Sequence, residues 1–590
     1  MRMALHRELD WRLLLLACML GAAMLTGRSF YNAGTVPLLS DTDDAMRLVV
    51  VRDLLAGQGW YDHVQHRLNT PFGAELHWSR LADLPVAGLV LLLQPFAGGA
   101  AGLWAAWLWP LLLLPPLLWL TAAVTLRLVG REGLLPALLL PLFSLAVLGE
   151  FAPGRIDHHN LQMLLLLALL WCSLAALERP RYAIGAGIAA ATALAIGIEG
   201  LPGVAAAILA FGLAWVLEPR HAAALRRFGA AFAIATLVHL AAALPPQRWL
   251  QPACDALSLT YAAAAIGSGG LLVALSLLPL AHRSAGQRLL VGTMAGFALL
   301  LGLVLLFPQC LGGPYAALDP WLREHWIDRI VEALPLWRSL ADNFAYTLGL
   351  AVPPLLAVLV AGWRLRQGGT ERTAWLVYAV FLVVAVLVML LQVRGARMAA
   401  VLAPPAGAWL ILAARHRYRT HPGIRRAVLL LGAWIGFAGI AVLVLARLLL
   451  PAAPAGESGA VEGSRAHCLL PAAYAGLAAL PPGRIMAPID LGSHLLAHTP
   501  HAVVAAPYHR NQQGVRDAFD FFGGPLAAGR ALLVDRGIDY VVVCAALPEL
   551  APGAAAADSF IARHAAGTLP DWLVERRSDP GPLQVFAVAR

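Results

Sequence analysis

FAPGRIDHHNLQMLLLLALLWCSLAALERPRYAIGAGIAAATALAIGIEG, residues 151–200, is the stretch whose reading decides the fold. It holds two charge-poor apolar runs, 160–177 and 183–200, joined by Glu178-Arg179-Pro180-Arg181. At about 1.5 Å of rise per residue, each run spans the hydrocarbon of a bilayer as a helix. In lipid a backbone can satisfy its own polar groups as a helix, so the reading is a pair of membrane helices rather than strands. Working outward, the same pattern recurs at 12–29, 104–126, 133–149, 202–217, 229–245, 260–281, 289–307, 345–363, 374–391, 398–414 and 427–450, which makes thirteen predicted spans.

Arginine sets their orientation. With the N-terminus inside, the cytoplasmic loops hold Arg127 and Arg131, Arg179 and Arg181, Arg220, Arg226 and Arg227, Arg283 and Arg288, Arg364, Arg366 and Arg372, and the cluster Arg415, Arg417, Arg419, Arg425 and Arg426. Every even loop is basic, as the positive-inside rule requires. A full span at 84–98 would invert everything after it, so that apolar stretch reads as an interfacial or re-entrant helix closing the first outer loop. The start, 1–12, reads as the flank of a retained first helix rather than as a signal peptide.

Composition agrees. The chain has 590 residues, 60% hydrophobic and only 13% charged, about half the charged share of a soluble domain. Disorder, collagen and a disulfide-stapled miniature fold are excluded. The net charge of +9 comes entirely from arginine, since the sequence has no lysine, and it gathers in short inter-helix loops. That is a membrane signature and not a nucleic-acid footprint.

Three long pieces fall on the outer side: 30–103, 308–344 and the tail. Membrane module 1–450 is followed by a linker, 451–463, and a tail domain, 464–590. In the tail YVVV at 540–543 and LQVFAV at 583–588 read as strands between Ala-rich helices. The expected fold is therefore a polytopic α-helical membrane protein with a C-terminal periplasmic α/β domain. Cys468 could pair with Cys544, and Cys254 with Cys310, in an oxidising compartment. Cys18 and Cys172 read as packing residues within spans.

Four outer clusters carry chemistry. DTDD places Asp41, Asp43 and Asp44 just beyond the first helix; such carboxylates repel one another unless a cation joins them, and hard oxygen ligands suit Mg²⁺ or Mn²⁺. They also make a good helix start, and one Asp can cap while another binds. Asp157-His158-His159 is a second candidate for ligation. In WLREHWIDRIVEALPL (321–336), Glu324, Asp328 and Glu332 share a helical face; the alternative is an amphipathic helix resting on the membrane with Trp321, Trp326 and Trp337 as anchors. Arg394 and Arg397 sit at an outer face, against the charge bias, and guanidinium groups grip phosphate oxygens. Together these groups suit a metal-held, phosphate-linked substrate with its lipid tail in the bilayer. In the tail, 490–514 concentrates polar residues that could line an acceptor or sugar site, or a solvated loop.

On these residues the sequence resembles the large-loop GT-C membrane glycosyltransferases, and most of all the catalytic subunit of oligosaccharyltransferase in its single-subunit archaeal and bacterial forms. Asp43 precedes Arg52-Asp53 at the family's nine-residue spacing. Gly154 and Asp157-His158-His159 match its second acidic motif, and Arg329-Ile330-Val331-Glu332 resembles the fifth-loop motif. The resemblance implies a metal held by Asp43, Asp157, His159 and Glu332, with Asp43 and Glu332 as catalytic residues. It implies donor-phosphate contacts from Arg394, with Arg397 and His158 beside it. Acceptor contacts would fall on Asp490, Tyr508, His509 and Arg510. The departures lie on the acceptor side: Trp-Trp-Asp of the family tail is replaced by Pro488-Ile489-Asp490-Leu491-Gly492, and the fifth-loop Thr by Arg329.

The implied activity is transfer of a sugar or oligosaccharide from a polyprenyl-(pyro)phosphate carrier to a protein, lipid or glycan acceptor at the outer face of a bacterial inner membrane. The rival class is a transporter or flippase, for which Glu199 beside Pro202 and His239 are the favourable features. A noncatalytic envelope-assembly protein with a degenerate fold is the third reading.

Overall fold

The computed structural model describes residues 9–449, 465–547, 555–576 and 581–589; the expected linker at 451–463 lies outside them. Long helices form at most of the expected spans. Asp10 opens the first, Trp11–Tyr31, by accepting from the amides of Arg12 and Leu13. The others include Ala101–Leu128, His159–Ala176, Tyr182–Ile196, Leu201–Leu217, Ala222–Ala243, Leu259–Leu277, Ala285–Leu306, Phe344–Gln367 and Arg372–Leu391.

Among the described residues nine helices are long and apolar enough to cross a membrane, or up to eleven if each of two bent pairs is one span. Those pairs are Val393–Leu402 with Pro404–Thr420, bent by 53°, and Ile424–Phe437 with Gly439–Leu449, bent by 105°. Thirteen is therefore not reached by length. The stretch expected at 133–149 breaks into Leu134–Leu139, a 3₁₀ turn at Leu140–Phe143 and Leu145–Glu150, with Pro136 and Pro141 each removing a backbone donor. The helix expected at 183–200 ends at Ile196, where Gly197 is extended.

Close packing fits a membrane interior, where small residues let backbones approach. A Cβ on Gly229 would stand 2.5 Å from the Gly269 carbonyl oxygen, so helices Ala222–Ala243 and Leu259–Leu277 touch backbone to backbone. Ala285–Leu306 is peripheral: only Arg288 in it is buried, tied through Nε and Nη2 to the Val216 carbonyl at 3.0 and 2.7 Å.

The basic loops contact one another. Arg127 pairs with Glu178 at 2.7 Å, Thr373 donates to Glu218 at 2.6 Å, and Arg364 lies over Trp409. The opposite loop ends meet the tail.

The stretch at 84–98 lies in helix Arg80–Ala97, which folds back so that Val86, Ala87 and Val90 share a small apolar cluster with Ala101 and Ala105. Its other face leaves Leu84, Leu91, Leu92 and Phe96 exposed. Earlier in the same loop come helix Thr42–Leu55 and a short antiparallel hairpin, β1 (Val64–Gln65) and β2 (Ala74–Glu75).

The tail contains a five-stranded sheet built from β3 (Arg484–Met486), β4 (Ala502–Val503), β5 (Tyr540–Cys544), β6 (Leu573–Arg576) and β7 (Leu583–Val588), in the order β4-β3-β5-β7-β6. β3 pairs in parallel with β4 and β5, while β5 and β7 are antiparallel from Tyr540↔Ala587 to Cys544↔Leu583. Both strands read from the sequence are present. Cys468–Cys544 and Cys254–Cys310 are disulfides, and Cys18 and Cys172 are free.

The 308–344 piece is not one amphipathic helix. It breaks into a 3₁₀ turn at Pro308–Cys310, the helix Pro320–His325, two further 3₁₀ turns and Leu336–Asp342. Leu318, Leu322, Trp326 and Ile327 join the tail's core with Phe521 and Val541. Trp326 is thus a core residue rather than a membrane anchor. Glu324 and Asp328 are exposed, and the shared acidic face does not form.

Candidate functional site

The acidic stretch folds as a capped helix start. Asp41 is the N-cap of Thr42–Leu55 and accepts from the Asp43 amide at 3.0 Å. Asp43 and Asp44 occupy the first turn, where the helix dipole favours carboxylates. Their fates then diverge. Asp44 Oδ1 accepts from the amides of Ile156 and Asp157 at 2.8 and 2.9 Å, and its Oδ2 from Arg155 at 2.7 Å. It is spent on holding the second motif. Asp43 instead lines a cleft of about 1740 Å³.

That second motif is pressed against the first outer loop at Gly154. This residue has φ of +97°, and a Cβ on it would stand 1.8 Å from the Leu38 carbonyl oxygen. Gly154→Ala is therefore expected to displace the loop carrying Asp157 and to cost at least about 1–3 kcal/mol. A thermal unfolding midpoint equal to that of the parent would contradict this contact.

Asp157 is buried at the centre of a charged network. Arg47 donates through Nη1 to Asp83 Oδ1 at 2.7 Å and through Nη2 to Asp157 Oδ1 at 2.9 Å, and lies 4.4 Å above the Trp78 ring. His158 Nδ1 is 2.7 Å from the same Asp157 oxygen, and its Nε2 is 3.6 Å from Glu199. Burial opposes charge on His158, but Asp157 and Glu199 outweigh it and push the imidazole up to about 10. Asp157 Oδ2 lies 3.2 Å from His159 Nε2 and is buried without a hydrogen-bond partner among the described residues.

A second line of charges crosses the cleft wall. Arg155 joins Asp41, Asp44 and Glu150 at 2.8, 2.7 and 3.2 Å. Glu150 receives Arg397 Nε at 3.3 Å, and Arg397 Nη2 meets Glu332 at 2.6 Å. Arg394 donates only to Gln392, at 2.9 Å, among the hydrogen bonds its side chain makes here.

Asp43, His159, Glu332, Arg394, Arg397 and Asp490 all line this cleft, with Trp104, Trp107 and Phe30 on its apolar side. The expected groups from three loops and the tail are thus brought together. Four placements differ from expectation. His158 is buried between Asp157 and Glu199 and is not among the residues that line the cleft. Glu332 stands in the wall, half exposed, with its carboxylate on Arg397 rather than in the Asp157–His158–His159 cluster. Tyr508 is buried beneath Asp43, its hydroxyl donating to the Thr42 carbonyl at 3.2 Å. His509 and Arg510 face a separate cavity of about 630 Å³ and bind Asp255.

Asp490 pairs with Arg465 at the N-terminal end of helix Ile489–His498. The far end of that helix is held by Arg52, which donates to Ala497 O at 2.8 Å, and by Arg67, which donates to Leu496 O at 2.9 Å. Arg52 therefore positions the tail, while Asp53 accepts from Gln65.

Glu150, Arg155, Arg47, Asp83 and the connection of Glu199 to His158 were not read from the sequence. Glu150 closes an apolar run just before the second motif, and Arg47 and Arg155 stand inside the two quoted motifs; those were the available signals. Glu199 completes the buried cluster from below, rather than standing alone within a span.

Whether these residues fit a divalent cation can be tested on the orphaned oxygen. Asp157 Oδ2 has no hydrogen-bond partner among the described residues, His159 Nε2 is 3.2 Å from it, and Asp43, which lines the cleft, is near enough to feel its charge. Burial, then the charges of Asp41 and Asp157, push the Asp43 carboxyl well above the usual range. Excess negative potential with an unpartnered carboxylate oxygen is what a cation relieves, so the residues fit.

No family model and no curated protein matches the sequence. Solved structures do. Archaeal oligosaccharyltransferase AglB from Archaeoglobus fulgidus, in complex with an inhibitory peptide and a dolichol-phosphate, superposes with a TM-score of 0.66 at 14% identity, over 90% of this chain and 69% of that one. The Archaeoglobus fulgidus oligosaccharyltransferase tethered to an acceptor peptide containing the NVT sequon gives 0.66 at 12%, over 90% and 68%. Its complex with Zn and sulfate gives 0.63 at 13%, over 90% and 68%. At such identity the likeness is one of fold: this chain has the GT-C membrane fold of an oligosaccharyltransferase.

Proposed function

We propose that this chain, with its oligosaccharyltransferase-like fold, is a membrane glycosyltransferase that moves a sugar or oligosaccharide from a polyprenyl-linked phosphate or pyrophosphate to an acceptor on the periplasmic side of a bacterial inner membrane. The observation that carries the reading is the cleft itself. Its lining brings together Asp43 and His159, the guanidinium groups of Arg394 and Arg397, and the aromatic rings of Phe30, Trp104 and Trp107. A phosphate-linked lipid needs those three surfaces together. That the AglB structure is a complex with a dolichol-phosphate supports the donor class.

Asp43, Asp157 and His159 would hold Mg²⁺ or Mn²⁺, which would supply Lewis-acid neutralisation of the leaving phosphate. Arg394 binds the phosphate oxygens and stabilises the charge that develops there. Arg397 is fixed by Glu150 and Glu332, so Glu332 acts by aiming a guanidinium. Asp43, held as the carboxylate beside such a cation, would orient the acceptor nucleophile and take its proton. The acceptor departs from the sequon-bearing peptide seen in the tethered structure, because both Trp of the family's tail motif are missing at 488–492.

The test is mass spectrometry of envelope glycans, glycolipids and glycoproteins from cells with and without the protein. One glycoform disappears when the protein is removed and returns with the wild-type chain but not with Asp43→Asn. Identical glycan profiles, accompanied by loss of a solute flux across vesicles, would favour the transporter reading.

A further inference from the structure

Away from the cleft, three segments distant in sequence bring His77, Asp255 and His509 together. One potential ligand atom from each lies within 4.8 Å of the others. His77 follows β2 in the first outer loop. Asp255 precedes helix Leu259–Leu277 and adjoins Cys254, whose disulfide to Cys310 ties down that turn. His509 opens a 3₁₀ turn of the tail. All three line the cavity of about 630 Å³.

The arrangement has the features of a built site. Asp255 Oδ2 is 2.7 Å from His509 Nε2. The His77 and His509 rings are 4.6 Å apart between centroids, and Tyr315 stands edge-on to His509 at 5.3 Å. His77 Nδ1 is buried and has no hydrogen-bond partner among the described residues. Arg510 grips Asp255 through Nε at 2.7 Å and Nη2 at 2.8 Å and reaches Glu75 at 3.1 Å, so the carboxylate is oriented from behind. Outer partners of this kind hold a ligand in place for a metal.

We infer that His77, Asp255 and His509 form a second divalent-cation site, suited to Zn²⁺ and separate from the cleft. Two imidazoles and one carboxylate are a zinc donor set, with a fourth position left open to the cavity. A tetrahedral ion with bonds of about 2.1 Å spaces its ligands by about 3.4 Å, so closing the triad takes side-chain movement of about 1 Å. The cleft set is richer in carboxylate and favours a harder ion. Because the three ligands come from three parts of the chain, the ion clamps the tail domain onto the first outer loop and the Asp255 turn.

The site is tested on the purified full-length protein, by counting bound zinc after loading with Zn²⁺ and exhaustive washing, and by the visible spectrum of the Co²⁺-loaded protein. Wild type retains one zinc equivalent that His77→Gln loses and Asp43→Asn keeps, and the Co²⁺ protein shows the strong absorption of a tetrahedral nitrogen-ligated ion, absent in His77→Gln. His77→Gln removes no hydrogen bond at Nδ1, and its melting temperature in EDTA matches the parent; zinc raises the midpoint of wild type only. Equal zinc retention by wild type and His77→Gln, or no retention by wild type, overturns the proposal. So does a melting temperature that responds to zinc identically in both.

Discussion

Asp43→Asn is expected to lower sugar transfer by about 10³-fold while leaving the folded protein as stable as wild type, or more so. The loss follows because one cleft-facing group both presents an oxygen to a cation and receives the acceptor's proton; single preorganised electrostatic groups of this kind are worth about 10²–10³ in rate. Stability is spared because the amide has the same shape and removes a repulsion. The Asp43 carboxyl is held high by burial and by Asp41 and Asp157, so in the cation-free protein the folded state keeps a proton that the unfolded state has released. Stability then falls as pH rises above the ordinary carboxylate range toward the folded value. Thermal unfolding in EDTA across that range should show a falling midpoint for wild type and a flatter one for Asp43→Asn, and added Mn²⁺ should flatten the wild-type curve. Parallel curves in EDTA would contradict the placement of Asp43.

Arg47→Met is expected to destabilise the protein by about 3–5 kcal/mol and to abolish transfer, although Arg47 lies outside the cleft wall. It is 1% exposed and serves two carboxylates of equal burial, Asp83 and Asp157. Removing it takes the guanidinium from both at once, leaving Asp83 the longer contact to Arg80 at 3.7 Å and Asp157 its neighbouring imidazoles, and breaking a buried ion pair from one side is costly. Arg47→Lys should not rescue, because a single ammonium cannot offer two separated nitrogens to two carboxylates. The triple variant Arg47→Met, Asp83→Asn, Asp157→Asn should recover much of the stability and none of the transfer. Denaturation in detergent together with the transfer assay separates these outcomes. A loss below about 1 kcal/mol for Arg47→Met would show that water reaches the network.

Much of the fold was legible in the sequence because a bilayer admits few backbone solutions. Apolar length placed most of the helices. Length failed where proline or glycine interrupts an apolar run: Pro136 and Pro141 break one expected span, and Gly197 shortens another. Periodicity misled at 321–336, where Glu324, Asp328 and Glu332 have helical spacing but Trp326 and Ile327 are drawn into the tail's core. Hydrophobic pattern records that a residue is buried, not which domain buries it.

The site was legible at the residues that face the cleft and illegible beneath it. Asp43, His159, Glu332, Arg394 and Arg397 stood out as charges where the membrane pattern predicts none. Arg47, Asp83, Glu150 and Arg155 form the charge network behind them, and pairings such as Arg47 with Asp157 and Arg155 with Asp44 cross more than a hundred residues and leave no local spacing to read. His509 and Arg510 line a cavity apart from the cleft, and their partner Asp255, 254 and 255 residues away from them, was equally hidden from local spacing.

The most direct test is an experimental structure of the purified protein with Mn²⁺, recorded with anomalous scattering at the manganese edge. The account predicts a peak at the cleft wall bounded by Asp43, Asp157 and His159, lost in Asp43→Asn. A protein that transfers sugar in EDTA, or manganese density only at sites remote from Asp157, would contradict it.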